Sequence, residues 1–212
     1  MQSRLAGLLD AAPRIALARP ALAARWLTTP IGAMLAVAGD AGLHLLDFAA
    51  RAALSSEVAW LRERSGRAVA IGAHPHLDAI ERELAEYFCG ARRAFGVPLA
   101  LDGTPFEVRH WRTLLRIPCG ETRSYRELAG QCGGSGSPRA VGRANGANRL
   151  SIVVPCHRVI GADGALVGYG GGLRRKRWLL DHERSIAGRA PLHRDLLAPC
   201  RNTTDLVEGS TA

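Results

Sequence analysis

SPRAVGRANGANRLSIVVPCHRVIG, residues 137–161, holds the signals on which the reading of the chain turns. Ser137 followed by Pro138 is a helix start, a capping hydroxyl and then the one residue whose missing N–H costs a first turn nothing. The helix that follows carries small residues, Ala140, Gly142, Ala144 and Gly146, on its surface. Small side chains let a helix backbone come close to its target. After Asn148 the run Ile152, Val153, Val154 reads as a strand packed on both faces, stopped at Pro155. The strand then delivers Cys156 and His157 side by side.

A thiol becomes a nucleophile when a neighbouring base or cation favours its thiolate, and a histidine base needs a third group to orient it. The segment RRKRWLLDHER, residues 174–184, offers Asp181, His182 and Glu183 for that purpose. A cysteine–histidine dipeptide alone is more often a structural buried cysteine beside a solvent-facing histidine.

The chain has 212 residues, 47% of them hydrophobic, enough for a real core in one domain or two small ones. No apolar run reaches the roughly 18 residues of a membrane span, and Asp10, Arg14, Arg19 and Arg25 interrupt the N-terminus, so a soluble, cytoplasmic, nucleoid-associated protein is expected. The net charge of +9 favours a polyanionic partner. Nearly all of the positive charge is arginine, Lys176 being the single lysine. Five cysteines without a C-x-x-C pair argue against a disulfide framework, and His74-x-His76 stands apart from other ligand types, so no metal and no cofactor are expected.

Two parts follow an N-terminal extension, residues 1–25. In the first, 26–97, AMLAVAG, DAG and LHLLDFA read as a β-hairpin. Ser56 can cap a helix that Gly66 ends, and Leu77, Ile80, Leu84, Tyr87 and Phe88 lie at helical spacing over 77–89. Residues 98–103 form a linker. The second part, 104–187, repeats one helix-start design: Thr104 with Glu107, Ser124 with Glu127, then Ser137 with Pro138. Phe106, Trp111, Leu114 and Leu115 are the expected apolar face of the first of these helices. The second and third, joined by GQCGGSGS, make a helix-turn-helix pattern. Residues 188–212 form a tail.

IPCGETRSYRELA (117–129), SPRAVGRANGAN (137–148) and IVVPCHRVIGADGALVGYGGGLRRKRWLL (152–180) together resemble the signature blocks of the O6-alkylguanine-DNA alkyltransferases. These are suicide repair proteins that take an alkyl group from guanine onto a cysteine. TTPIGAMLAVAGDAGLHLLDF (28–48) is weakly similar to the family's ribonuclease H-like N-terminal domain. The resemblance implies an α/β (α+β) fold, with that small domain followed by a mostly helical one. It implies Cys156 as alkyl acceptor, His157 as the group that deprotonates it through a water, and Glu183 as the acid that holds the histidine. Asn148 matches the residue shaping the turn before the acceptor. Tyr125 matches a tyrosine that crowds the target phosphate and donates a proton toward guanine. Arg139 matches the arginine that fills the space of the flipped base. Ala140 and Gly142 would lie along the DNA, with Tyr169 as the wall of the guanine pocket and Val159 on its floor. The implied partner is duplex DNA containing alkylated guanine, met by a monomer in solution, with cooperative binding on DNA and O4-alkylthymine as a second substrate left open.

Two departures carry their own expectations. Arg149 stands where a proline is common, which loosens the turn or adds a phosphate contact. Gly170 stands where some members have serine, which removes a hydrogen bond and widens the pocket. Cys119 and Cys132 are expected to be inert. A thiol hydrolase would need a distant histidine with an Asn or Asp partner, for which the chain offers no clear motif. A damage sensor would have no need of Cys156.

Overall fold

Two residues at the tip of the hairpin, Asp40 and Ala41, turn strand β2 (Met34–Gly39) back onto β3 (Gly42–Phe48). The computed structural model describes residue 9 and residues 21–131 and 137–190. β1 (Leu22–Leu27) pairs antiparallel with β2, and β4 (Val69–Ile71) adds parallel to β1, giving the order β3-β2-β1-β4. β1 therefore opens four residues inside the stretch read as an extension. Every residue of β2 is buried, because both faces of the sheet are covered. Leu35 and Val37 point to one side, where they meet Leu54, Val58 and Leu61 of α1 (Leu54–Ser65). Met34, Ala36 and Ala38 point to the other and meet Leu77, Ile80 and Leu84 of α2 (Pro75–Phe88).

The expected apolar stripe of α2 is buried. Helix α1 corrects one detail: its N-cap is Ala53, not Ser56, whose hydroxyl instead donates back to the Ala53 carbonyl at 2.8 Å. Gly66, at φ 62°, ends the helix in the left-handed conformation that favours glycine.

The 98–103 segment is more than a tether. Leu43 N–H donates to Pro98 O (2.8 Å) and Ala100 N–H to Leu43 O (3.0 Å), so the segment lies along the edge of β3. Gly42, at φ 123°, permits this: a Cβ there would stand 2.4 Å from Pro98 O.

The second part holds α3 (Pro105–Leu114), β5 (Arg123–Ser124), α4 (Tyr125–Gln131), α5 (Pro138–Gly146), β6 (Val159–Ile160) and α6 (Leu173–Ile186). All three expected N-termini form: Thr104 and Glu107 make a reciprocal capping box, Ser124 and Glu127 make another, and Ser137 Oγ accepts from Ala140 N. Trp111 and Leu114 are buried as expected, whereas Leu115 is 42% exposed. The GQCGGSGS turn lies largely outside the described residues, and Cys132 with it. One apolar cluster runs through both parts, from Met34 and Phe48 in the sheet to Leu128, Val141 and Leu179.

The strand expected over 152–154 does not exist. Residues 151–154 form turns, Cys156–Arg158 is one turn of 3-10 helix, and only Val159–Ile160 pair, in parallel with β5. The apolar run is buried as a folded-up loop instead, with Ile152 at φ 73°. A β-branched residue there is strained. Among the described residues no helix is long and apolar enough to cross a membrane.

Candidate active site

α5 ends at Gly146 and Ala147 caps it, which leaves Asn148 buried at the start of the next turn. Its Oδ1 accepts from Leu150 N (2.9 Å), and its Nδ2 donates to Val154 O (2.9 Å) and to Cys156 Sγ (3.2 Å). One amide thus fixes both ends of the loop and touches the sulfur at its tip. The loop is also pinned to the sheet, since Leu46 N donates to Arg149 O and Ser151 N to Leu46 O, both at 2.8 Å.

Cys156 is 6% exposed. Burial pushes its thiol up and Asp47 adds to this; the Asn148 amide and the charges of Lys176 and Arg51 pull the other way. The resting group is a protonated thiol that needs a base. His157, fully buried, has Nε2 at 2.8 Å from Glu183 Oε1. A carboxylate only accepts, so Nε2 carries the proton and Nδ1 holds the lone pair. Nδ1 is buried and has no hydrogen-bond partner among the described residues. Burial lowers the His157 pKa despite the neighbouring carboxylate, so the ring is a neutral base.

Glu183 is gripped from four directions. His157 and Arg158 donate to it, Arg158 through both Nε and an NH2 at 2.8 Å, while Tyr87 Oη (3.0 Å) comes from α2 and Gly120 N (3.2 Å) from the loop before β5. Burial alone would raise this carboxyl; the His157 and Arg158 charges and hydrogen bonds outweigh it and hold it well below the usual range. The thiol of Cys119, near Glu183 O, is pushed up to about 11 by burial, so it stays protonated at neutral pH.

The neighbouring walls come from the chain after β6. Val159 is buried, and Tyr169 packs edge-on against both Phe48 and His157. Tyr125, first residue of α4, is half-buried with its hydroxyl 3.5 Å from Val167 O, and burial raises its pKa. Lys176 was missed as a site residue: fully buried, it donates to the carbonyls of Val159, Val167 and Gly168. A compact ammonium with three donors suits three converging carbonyls better than a planar guanidinium. Burial lowers its pKa to about 8. Its being the single lysine among so many arginines was the signal available in the sequence.

Cys156, His157, Glu183, Asn148, Val159 and Tyr169 are thus brought together, with Tyr125 at the rim. Arg139 is exposed on the first turn of α5, with Ala140 and Gly142 partly exposed beside it. Ala144, expected on that surface, is buried, and its carbonyl accepts from the Trp111 indole N–H at 2.8 Å. Arg149 does not loosen the turn. Its guanidinium lies 3.7 Å from the Trp60 ring centroid and donates to Asp102 O, which ties the turn to α1 and the 98–103 segment. Gly170 opens no space either: a Cβ there would stand 2.8 Å from Arg51 Cζ, because the Arg51 guanidinium fills that volume. Among the described residues no three His, Cys, Asp or Glu side chains are placed to hold a metal ion.

A buried cysteine followed by an oriented, neutral histidine marks a class of proteins equipped to react through a thiol. Comparison with known proteins makes the class specific. Residues 105–185 match the family model described as the 6-O-methylguanine DNA methyltransferase, DNA binding domain. The methylated-DNA–protein-cysteine methyltransferase of Mycobacterium leprae is 45% identical over 160 residues, covering 76% of this chain and 91% of that one. The crystal structure of Mycobacterium tuberculosis O6-methylguanine methyltransferase is 42% identical with a TM-score of 0.65, covering 81% and 96% of the two chains. That of Mycobacterium tuberculosis OGT in complex with DNA is 43% identical with a TM-score of 0.65, covering 80% and 95%. The chain belongs to the methylated-DNA–protein-cysteine methyltransferase family.

Proposed function

We propose that this protein repairs DNA directly, moving the alkyl group from O6 of guanine in a duplex onto Cys156, once per molecule. The observation that carries this reading is the Asn148–Cys156–His157–Glu183 array, in which the Asn148 amide holds a buried sulfur and the next residue in the chain is a neutral, carboxylate-held imidazole. At rest the thiol keeps its proton. When a base enters, His157 Nδ1 takes that proton, directly or across one water, and the imidazolium is stabilised by ionised Glu183. The thiolate then attacks the alkyl carbon: a carbon–sulfur bond forms as the carbon–oxygen bond breaks. The electron pair leaves on guanine, which takes a proton from the Tyr125 hydroxyl, and the phenolate is reprotonated from water as His157 gives up its proton. The product thioether has no route back, so the acceptor is consumed.

A base stacked in a duplex cannot reach a buried sulfur and must be flipped out at a cost of a few kcal/mol. In this reading Arg139, exposed on the first turn of α5, occupies the vacated stack. Ala140, Gly142 and Gly146 keep the outer face of α5 slim enough for the minor groove, where readout is degenerate and suits a lesion scanner. Val159 and Tyr169 bound the base. The net charge of +9 supplies the sequence-independent attraction, so duplex affinity falls steeply with salt. The protein is a monomer in solution and acts in the cytoplasm on duplex DNA of the nucleoid.

Stoichiometry tests this. Incubation with a duplex carrying labelled O6-methylguanine is expected to leave about one label per protein, on the peptide containing Cys156, with none on Cys156→Ser. Label released into solution with turnover, or label found elsewhere on the protein, would sink the reading.

A further inference from the structure

Arg51 follows β3 in the first part of the chain, yet its guanidinium also reaches into the second. Its NH1 donates to Asn148 O (3.0 Å) and its NH2 to Gly146 O (2.7 Å), the carbonyls at the end of α5. The same guanidinium pairs with Asp47, and with Glu57 at 3.0 Å. Asp47 in turn accepts from Ser151 Oγ at 3.0 Å, inside the loop that carries the acceptor. On its remaining side Arg51 fills the space beside Gly170, next to Tyr169. The side chain is 9% exposed, so these partners replace its water.

We propose that Arg51 is a positioning residue for alkyl transfer: it locks the end of α5, and with it Asn148, against the base-pocket wall at Gly170. The inference rests on the alkyl-transfer reading given above. The logic is geometric. Asn148 presents its carbonyl to Arg51 and its amide to Cys156 Sγ, so a rotation of that residue moves the hydrogen bond on the sulfur. A planar fork reaches the two carbonyls from two separate nitrogens in fixed directions, whereas a lysine would offer a single rotating ammonium. A carbonyl pair at a helix C-terminus is also where a cation is favoured. Arg51 touches no reacting atom and acts only through Asn148, Gly170 and its charge. A purely structural ion pair would need Asp47 and Glu57 alone; the carbonyls of Gly146 and Asn148 are what point to the site.

The charged and titratable groups that bear on Cys156 are Asp47 from β3, Arg51, Lys176 from α6 and the phenols of Tyr125 and Tyr169, with His157 next to it in the chain. Removing Arg51 takes away one of two cations that favour the thiolate.

The test uses the full chain with Arg51→Lys, and Arg51→Met in a Glu57→Gln background so that no pair of unpaired carboxylates unfolds it. Two readouts are taken on folded protein: the single-turnover rate with an O6-methylguanine duplex, and the pH profile of iodoacetamide alkylation mapped by mass to Cys156. Relative to Glu57→Gln alone, Arg51→Met is expected to slow transfer by at least about tenfold, at unchanged duplex affinity. Its alkylation midpoint should move up by about half a pH unit or more. Arg51→Lys should recover the midpoint but not the rate. A variant that melts earlier yet reacts at the parent rate and midpoint would show mere structural glue and overturn the proposal. If the parent transfers nothing, the repair reading fails, and the alkylation profile still decides the role of Arg51: an upward shift sustains it and an unmoved one ends it.

Discussion

The carboxylates around Glu183 and around Asp47 are both buried and both paired with arginine, yet their acidities move in opposite directions. Glu183 stands alone among donors: His157, two nitrogens of Arg158, Tyr87 and Gly120 all point at it. It is held well below the ordinary carboxylate range. Asp47 and Glu57 share one guanidinium, and their charges oppose each other. Burial raises both, Glu57 to about 7, more than Arg51 can offset. Two negative charges to one cation leave a proton near neutrality; one negative charge under five hydrogen bonds does not. The first arrangement suits an anion that must stay an anion while it steadies an imidazolium. The second suits a joint between two parts of the chain.

The largest effect in this comparison should come from Glu183→Gln. The amide cannot balance Arg158, and an uncompensated buried charge costs about 3–5 kcal/mol. His157 also loses the partner that supports its protonated form, and transfer should slow by a factor of about 10²–10⁴. Chemical denaturation and single-turnover kinetics check both. A variant of native stability would mean that the Glu183 cluster is no tighter than a surface pair.

Glu57→Gln sharpens the contrast by its sign. For Glu57 the folded value, about 7, lies above the ordinary 4.5, so ionisation opposes folding increasingly as pH rises from 4.5 to 7. The neutral variant should therefore gain on the native protein across that window, by about 1–3 kcal/mol above pH 7. Glu183 works the other way, since its folded value is depressed: its contribution is complete above about pH 4.5 and is lost as pH falls below it. Denaturation midpoints at several pH values separate the two. A gain for Glu57→Gln that does not change with pH would break the assignment.

The smallest effect is expected at Trp60→Ala. It removes the face on which Arg149 lies and should cost about 1 kcal/mol with little change in transfer rate. A loss as large as that of Glu183→Gln would mean that this partly exposed strap, rather than the buried clusters, fastens the two parts together.

Much of the second part could be read from the chain, because its signals are local. A capping hydroxyl and a glutamate three residues on form their box within one turn, so Thr104, Ser124 and Ser137 stand where the sequence puts them. Cys156, His157 and Glu183 were legible through a motif and its chemistry. The loop before the cysteine was not, because an apolar run is buried equally well as a strand or as a knot of turns. Asn148, through three hydrogen bonds, and the ties of Arg149 and Ser151 to β3 favour the second, and Ile152 takes up the strain. Arg51 and Tyr87 were invisible for another reason. Each meets its partners about a hundred residues away, and nothing in RAALS or AEYFC announces a carbonyl or carboxylate waiting in the other part. For Gly170 and Arg149 the resemblance likewise could not show the neighbours they have in this chain, Arg51 and Trp60.

The 98–103 segment has a consequence outside repair. A free sheet edge presents unpaired N–H and C=O groups to any passing strand and is a template for aggregation. Here β3 is overlaid by Leu99 at one end and by Leu150 at the other. The opposite edge, β4, is three residues long. On the proposed reading each molecule reacts once, and its alkylated form would still carry a sheet with little to offer another copy of itself.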